Sequence, residues 1–357
     1  MTARALRERD HEIMLFCQAG SPLAEWSRSD AFPVDRSMNL NRANPAEIWN
    51  GIRKFRKAIQ NFRPDILNPH CPPGHTYFAL ARALQHSHIP LIRTVAEPRA
   101  PRNNLFNRFL HERITDGLIY TTASSFKRYQ DSFSLAHVRQ ATILPGFRAE
   151  QFIAGVEPLP LREQLGLKSD IVVIGIVARM SPEKGQETLI DALSLLDNQT
   201  KSKCHFVLTG DDSRQRGQSD LLALARKYRV ENLITFQRRY EDIRPLIAAL
   251  DIGLITSVRS EAICRVALEY MSFSKPVISS DVNILPEVVI HGQNGWVFKN
   301  RDAHELAQCL KEAIQDTSER RKRGEVGYDL VCSEFSVESQ IRQTVNFYHS
   351  VAQAQQS

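Results

Sequence analysis

The sequence predicts an α/β chain of two doubly wound domains, and three observations lead there. Short apolar runs with strand character alternate with helix-period patterns along the chain, a length of 357 residues suits two domains, and a proline-rich break falls before the middle. In the first half, residues 12–17, 65–68, 91–95, 117–121 and 141–144 read as strands. Pro145-Gly146 and Pro158-Leu159-Pro160 mark a turn and a linker, which puts the boundary near residue 155. The expected organisation is residues 1–155, residues 156–335, and a terminal helix and tail over 336–357 that packs back toward the first domain.

The second half carries the more informative series. Strands are expected over 171–178, 206–210, 233–236, 252–255 and 276–280, with helices over 187–196, 220–228 and 240–250 between them. That alternation implies a parallel sheet covered on both faces, with ligands at the carboxyl ends of its strands. Two cations, Arg179 and Lys184, follow the strand 171–178 in a strand-to-helix turn. Pro182 and Glu183 suit a helix start, whereas Lys184 is electrostatically misplaced at that positive end unless an anion sits nearby. Gly210 closes the next strand.

Two carboxylates, Glu261 and Glu269, stand eight positions apart after the strand 252–255. Val266, Ala267, Met271 and Phe273 have the spacing of a helix lying on a sheet, so Glu261 falls in the loop before that helix and Glu269 inside it. Between them the free N–H groups of Ile263, Cys264, Arg265 and Val266 are expected at the helix N-terminus, where a diphosphate can bind. One carboxylate for sugar hydroxyls, amides for phosphate and a second carboxylate for ribose make a nucleotide-sugar clamp. Glu287 follows in a segment with turn glycines at 292 and 295.

This ordered series resembles the nucleotide-sugar half of the retaining glycosyltransferases of family 4. The resemblance implies the GT-B fold: two Rossmann-like domains facing a cleft. It also implies that Arg179 and Lys184 hold the donor pyrophosphate, Glu261 contacts the donor sugar and Glu269 the ribose. His70 matches a frequent family histidine at the cleft, with a structural loop histidine as the alternative, and Glu97 and Arg99 are candidate polar contacts on the acceptor side, with surface solvation as the alternative for both. The chain departs from the family in three places: Val95 and Ala96 stand where a histidine is common, Phe147-Arg148 replaces the common hydrophobic-Asp pair after Pro145-Gly146, and Met1 to Glu12 match the end of a helix that a first strand and a Gly-rich loop normally precede, so that strand is expected to be missing.

The activity so implied is transfer of a sugar from a nucleotide-diphosphate donor to a hydroxyl acceptor with retention, in lipopolysaccharide or surface glycan synthesis. A catalytically silent donor-binding or scaffold protein of the same fold, and a GT-B-like nucleotide-sugar epimerase, remain the alternatives. No cofactor and no metal are expected, since no metal-ligand constellation is visible. Neither G-x-G-x-x-G nor G-x-x-x-x-G-K occurs, which removes the main support for a dinucleotide dehydrogenase or a P-loop NTPase.

Six scattered cysteines with no C-x-x-C favour reduced thiols and a cytoplasmic setting. No apolar run reaches bilayer-spanning length and no signal-peptide core follows Met1. Charge is uneven: residues 1–150 hold 21 Lys+Arg against 13 Asp+Glu, an excess of +8, whereas the rest of the chain is slightly acidic. The clusters Arg53 to Lys57 and Arg99 to Arg113, the latter interleaved with Phe106, Phe109 and Leu110, suit either an anionic membrane surface or a solvated helix face. No nucleic-acid motif accompanies them.

Overall fold

The computed structural model describes residues 2–29, 32–35, 45–85, 88–97, 99–259 and 265–354. The chain divides into two compact units, Met1–Gly146 with Val337–Ser357, and Phe147–Ser336.

In the first unit, β1 (Leu15–Phe16) pairs with β2 (Val34–Asp35), and β3 (Ile92–Val95), β4 (Gly117–Tyr120) and β5 (Arg139–Thr142) form a second sheet, all parallel. The strand expected over 65–68 is a single bridge, Leu67 to Leu91. Pro64 and Pro69 bracket it and lack the N–H a longer ladder needs. Helices Pro45–Phe62 and Pro72–Leu84 close a core in which Ile52, Phe55 and Ile59 meet Tyr77 and Leu91. The terminal helix Val337–Ala354 belongs here: Val337 and Ile341 pack on Ala5 and Leu6, and Phe347 and Val351 on Ile92, Ile119 and Ile143.

The second unit holds one six-stranded parallel sheet. Its strands are β6 (Val172–Val177), β7 (Cys204–Thr209), β8 (Ile234–Gln237), β9 (Ile252–Ile255), β10 (Val277–Ser280) and β11 (Gly295–Phe298), in the spatial order β11-β10-β9-β6-β7-β8. β9 and β10 are buried along their whole length, as strands covered on both faces must be. Side chains alternate accordingly. Ile174, Ile176, Ile252 and Leu254 join Leu189, Leu193, Leu221 and Leu310 of three helices in one layer, while Gly253 meets Tyr270 of the helix Arg265–Ser272 on the other.

The boundary stands at Gly146 rather than near 155. Residues 147–155 are held by the second unit, where the Phe152 ring lies 5.8 Å from Phe273 and the Phe152 carbonyl accepts from Arg244 at 3.4 Å. β2 and β11 were not anticipated. β11 is marked by Trp296, buried with the Arg323 guanidinium 3.9 Å above its ring.

Candidate functional site

From β6 the chain runs to β7 and β8 on one side, then returns to β9, β10 and β11 on the other, so the strand order reverses between β6 and β9. Open α/β sheets bind ligands at such a switch, outside the carboxyl ends of the two strands. Here the two strands pair only through Ile174–Ile252 and Gly175–Gly253 before they part. Tyr270 fills the gap beyond: its hydroxyl accepts from the Val177 N–H at 2.9 Å and donates to the Gly175 carbonyl at 3.0 Å. A Cβ on Gly253 would collide with that ring.

The loops leaving β6 and β9 are laced together above this gap. Pro182–Lys184 forms one 3-10 turn and Gly185 takes φ 63°, so the long helix starts at Gln186, later than Pro182 suggested. The Glu183 carbonyl accepts from the Val258 N–H at 2.9 Å, and the Thr256 hydroxyl donates to the Lys184 carbonyl at 2.7 Å. Gly185 packs so closely on the Thr256 carbonyl that any Cβ would collide with it. On its far side the β9 loop is held by the Ser280 hydroxyl, which donates to the Ser257 carbonyl at 2.6 Å, and by Asn300 Nδ2, which donates to the Val258 carbonyl at 3.3 Å.

Arg179 is exposed and Lys184 half-buried on this platform, and the Gln186 amide donates to the Arg179 carbonyl at 3.0 Å. A third cation joins them. Glu183 sits below the ordinary carboxylate range, first through its own backbone N–H and further through the positive charges of Arg179 and Arg259. Arg259 is exposed at the end of the β9 loop, and sequence reading missed it because nothing in its spacing tied it to residues 75 or more positions earlier. Gly210 lies at the carboxyl end of β7, against the Ala178 carbonyl and the Arg179 N–H, where only a residue without Cβ fits.

Glu269 stands one turn into the helix Arg265–Ser272, its side chain 13% exposed, accepting from Arg265 Nε at 2.9 Å. Burial raises its pKa, against the Arg265 charge. Val266 is half-buried in the first turn of that helix. Glu261, Ile263 and Cys264 lie outside the described residues. Glu287 sits half-buried in the short helix Leu285–Val288 after β10. His70, Glu97 and Arg99 belong to the first unit; His70 and Arg99 are exposed, and Glu97 follows the carboxyl end of β3. Among the described residues no group of three or more His, Cys, Asp or Glu is placed to hold a metal ion, and no helix is long and apolar enough to cross a membrane.

Residues 160–329 match the family Glycosyl transferases group 1, and residues 1–150 match Glycosyltransferase Family 4. The chain belongs to these glycosyltransferases. A D-inositol 3-phosphate glycosyltransferase of Corynebacterium aurimucosum is 25% identical over 380 residues, 97% of this chain and 88% of the relative. A lipopolysaccharide core biosynthesis glycosyltransferase of Rhizobium meliloti is 25% identical over 232 residues, 65% of this chain and 64% of the relative. A glycosyltransferase structure from Rickettsia africae superposes with a TM-score of 0.83 at 20% identity, covering 98% of this chain and 93% of that one. Anabaena HepE, solved with UDP and glucose, gives 0.72 at 21% identity, covering 95% of this chain and all of that one. These likenesses establish the GT-B fold of this group 1 glycosyltransferase.

Proposed function

We propose that this glycosyltransferase moves a sugar from a nucleotide-diphosphate donor to a hydroxyl acceptor with retained anomeric configuration, in the synthesis of lipopolysaccharide or a related surface glycan. The observation that carries the reading is the laced pair of loops at the β6/β9 switch, which bears Arg179, Lys184 and Arg259. Three cations carried by two loops that are hydrogen-bonded to each other suit the charge that develops on a departing diphosphate, since charge already gathered there lessens the reorganisation needed as the bond breaks. Glu269 takes the ribose hydroxyls, Glu261 the donor sugar, and the amides of residues 263–266 a phosphate. Gly210 and Glu287 line the nucleotide side. The leaving phosphate removes the acceptor proton on the same face, so no separate protein base and no metal ion are assigned.

Support for the donor comes from HepE, whose structures contain UDP and UDP-glucose, and support for the acceptor class from the lipopolysaccharide relative. A membrane-borne acceptor suits the helix Leu105–Phe109, where Leu105, Phe106 and Phe109 are 84, 52 and 58% exposed beside exposed Arg102, Arg108 and Arg113. We place the protein in the cytoplasm, peripheral to an anionic membrane.

Calorimetry with UDP, GDP and ADP tests the donor site. Glu269→Ala is expected to weaken the preferred nucleotide about 10- to 100-fold, the size of a charged hydrogen bond. Arg179→Ala with Lys184→Ala should lower turnover much more than melting temperature. A folded parent protein that binds none of the three nucleotides would remove the donor assignment, and binding without any sugar transfer would favour the silent scaffold.

A further inference from the structure

A cavity of about 310 Å³ lies in the second unit at the amino ends of β9 and β10, whereas the loops bearing Arg179, Lys184 and Arg259 leave the carboxyl ends of the sheet. Asp251 and Lys275 stand just before those two strands, and Leu159, Leu161 and Leu250 supply apolar wall. Apolar walls with a few convergent polar groups are the ordinary make-up of a small-molecule site, and the volume falls at the small end of the usual range of about 300 to 1,000 Å³.

The charges on the lining are unequally answered. Asp251 Oδ2 accepts from Arg162 Nη2 at 2.5 Å and from the Val173 N–H at 2.7 Å, and the same carboxylate also acts on Lys275 and Arg320. Arg320 has partners of its own, donating to the Ala313 and Ile314 carbonyls at 2.7 and 2.9 Å. Lys275 has none: it is half-buried, and among the described residues its ammonium makes no hydrogen bond and no ion pair. Burial lowers its pKa first, with Asp251 opposing that and Arg162 adding to it. Glu163, the other carboxylate on the lining, is exposed and is not among the charges that act on Lys275. A partly desolvated cation without an anion of its own is stabilised by an anion that enters. Across the cavity Ala248 and Ala249 end the helix Arg244–Ala249, where the last carbonyls have no partner within the helix and can accept from hydroxyls.

We infer that this cavity is a second binding site, for a small hydroxylated anion whose acidic group meets the Lys275 ammonium and whose hydroxyls meet the carbonyls of Ala248 and Ala249. Sugar or polyol monophosphates and sugar acids share that chemistry, and a lysine suits either head group because it acts as a point charge rather than a planar fork. A neutral sugar leaves the ammonium unanswered. The site is separate from the donor loops, at the other end of the same strands, so both can be filled together.

Calorimetric titration of the whole protein with ribose 5-phosphate and with glucuronate, against ribose and glucose as neutral controls, tests the site. At least one of the two anions is expected to bind, and the neutral sugars at least about tenfold more weakly, as loss of a charged hydrogen bond requires. Which anion binds identifies the head group as phosphate or carboxylate. Lys275→Met, which keeps an apolar stem, should raise the Kd of that anion at least about tenfold and leave the melting temperature of the free protein unchanged or higher, since it removes a partly buried charge. Lys275→Arg should hold the Kd closer to the parent value, and Arg179→Ala with Lys184→Ala should leave it at the parent value. Failure of both anions to bind, equal binding of anions and neutral sugars, or an unchanged Kd in Lys275→Met would overturn the site. Loss of binding in the Arg179→Ala, Lys184→Ala protein would overturn it too, by putting the anion on the donor loops, and a lower melting temperature in Lys275→Met with Kd unmoved would make Lys275 a structural partner of Asp251 alone.

Discussion

His75 and His111, with His70 lowered in the same direction, weaken the first unit in acid. His111 is buried and held at a pKa of about 3, against 6.5 in an exposed histidine, and His75 is lowered for the same two reasons, burial and then Arg93. Between those values the unfolded chain binds a proton that the folded chain refuses, so stability falls as pH drops below about 6.5. From pH 7 to pH 5, before most carboxylates titrate, His111 alone should remove about 2 kcal/mol. His111→Phe, which preserves the stacking on Phe133, should lose that much less over the same interval in urea titrations. Parallel losses in the two proteins would show that His111 is not kept neutral. Glu97 reads from the sequence as a polar contact or a solvated residue; the bond it accepts from the buried Arg93 is not legible there, because an arginine inside a strand pattern reads as a residue on an open face.

At the level of elements, Tyr270 makes the gap at the strand switch a stable feature rather than a frayed ladder. The Val177 N–H and the Gly175 carbonyl would otherwise pair across to β9, and the tyrosine hydroxyl serves both. Tyr270→Phe leaves those two backbone groups, the Gly175 carbonyl buried and the Val177 N–H partly so, without their partner and should cost about 1 to 3 kcal/mol. Urea denaturation measures it, and a loss well under 1 kcal/mol would mean that the strands close up or that water replaces the hydroxyl. The helix carrying Glu269 was legible from its 3.6-residue spacing. Its role as a wedge was not: Tyr270 reads from sequence as one more apolar helix position, and only its pairing with Gly175 and Gly253, 95 and 17 positions back, shows otherwise.

For the molecule as a whole, the basic excess of residues 1–150 acquires two different meanings. Arg53, Lys54 and Lys57 are exposed on a helix whose Ile52, Phe55 and Ile59 are buried, the pattern of a solvated face. Around Leu105 the apolar side chains themselves face water among the cations. Binding to vesicles should therefore require acidic lipid, fall as salt shortens the Debye length below about 10 Å, and drop at least about tenfold when Leu105, Phe106 and Phe109 all become Ser. Neutralising Arg53, Lys54, Arg56 and Lys57 should matter less. Sedimentation with neutral and anionic vesicles measures both, and equal recovery of the parent protein on the two lipids would leave the patch without a membrane role.

Strand-helix alternation, the cation pair after one strand and the glutamate spacing after another were enough to predict the α/β class and the family. These are local signals, because periodicity and turn chemistry act over a few residues. The finer geometry required distant segments to meet. Gly185 became a contact point only once β9 returned beside β6 and brought the Thr256 carbonyl against it, and Arg259 joined the cations through the same crossover. Likewise the strand run 65–68 shrank to one bridge, residues 147–155 went to the second unit, and the buried Arg93 charge found Glu97 and two neutral imidazoles. Burial, strand order and the partners of a buried charge are properties of the packed chain, so the tertiary structure alone decided them.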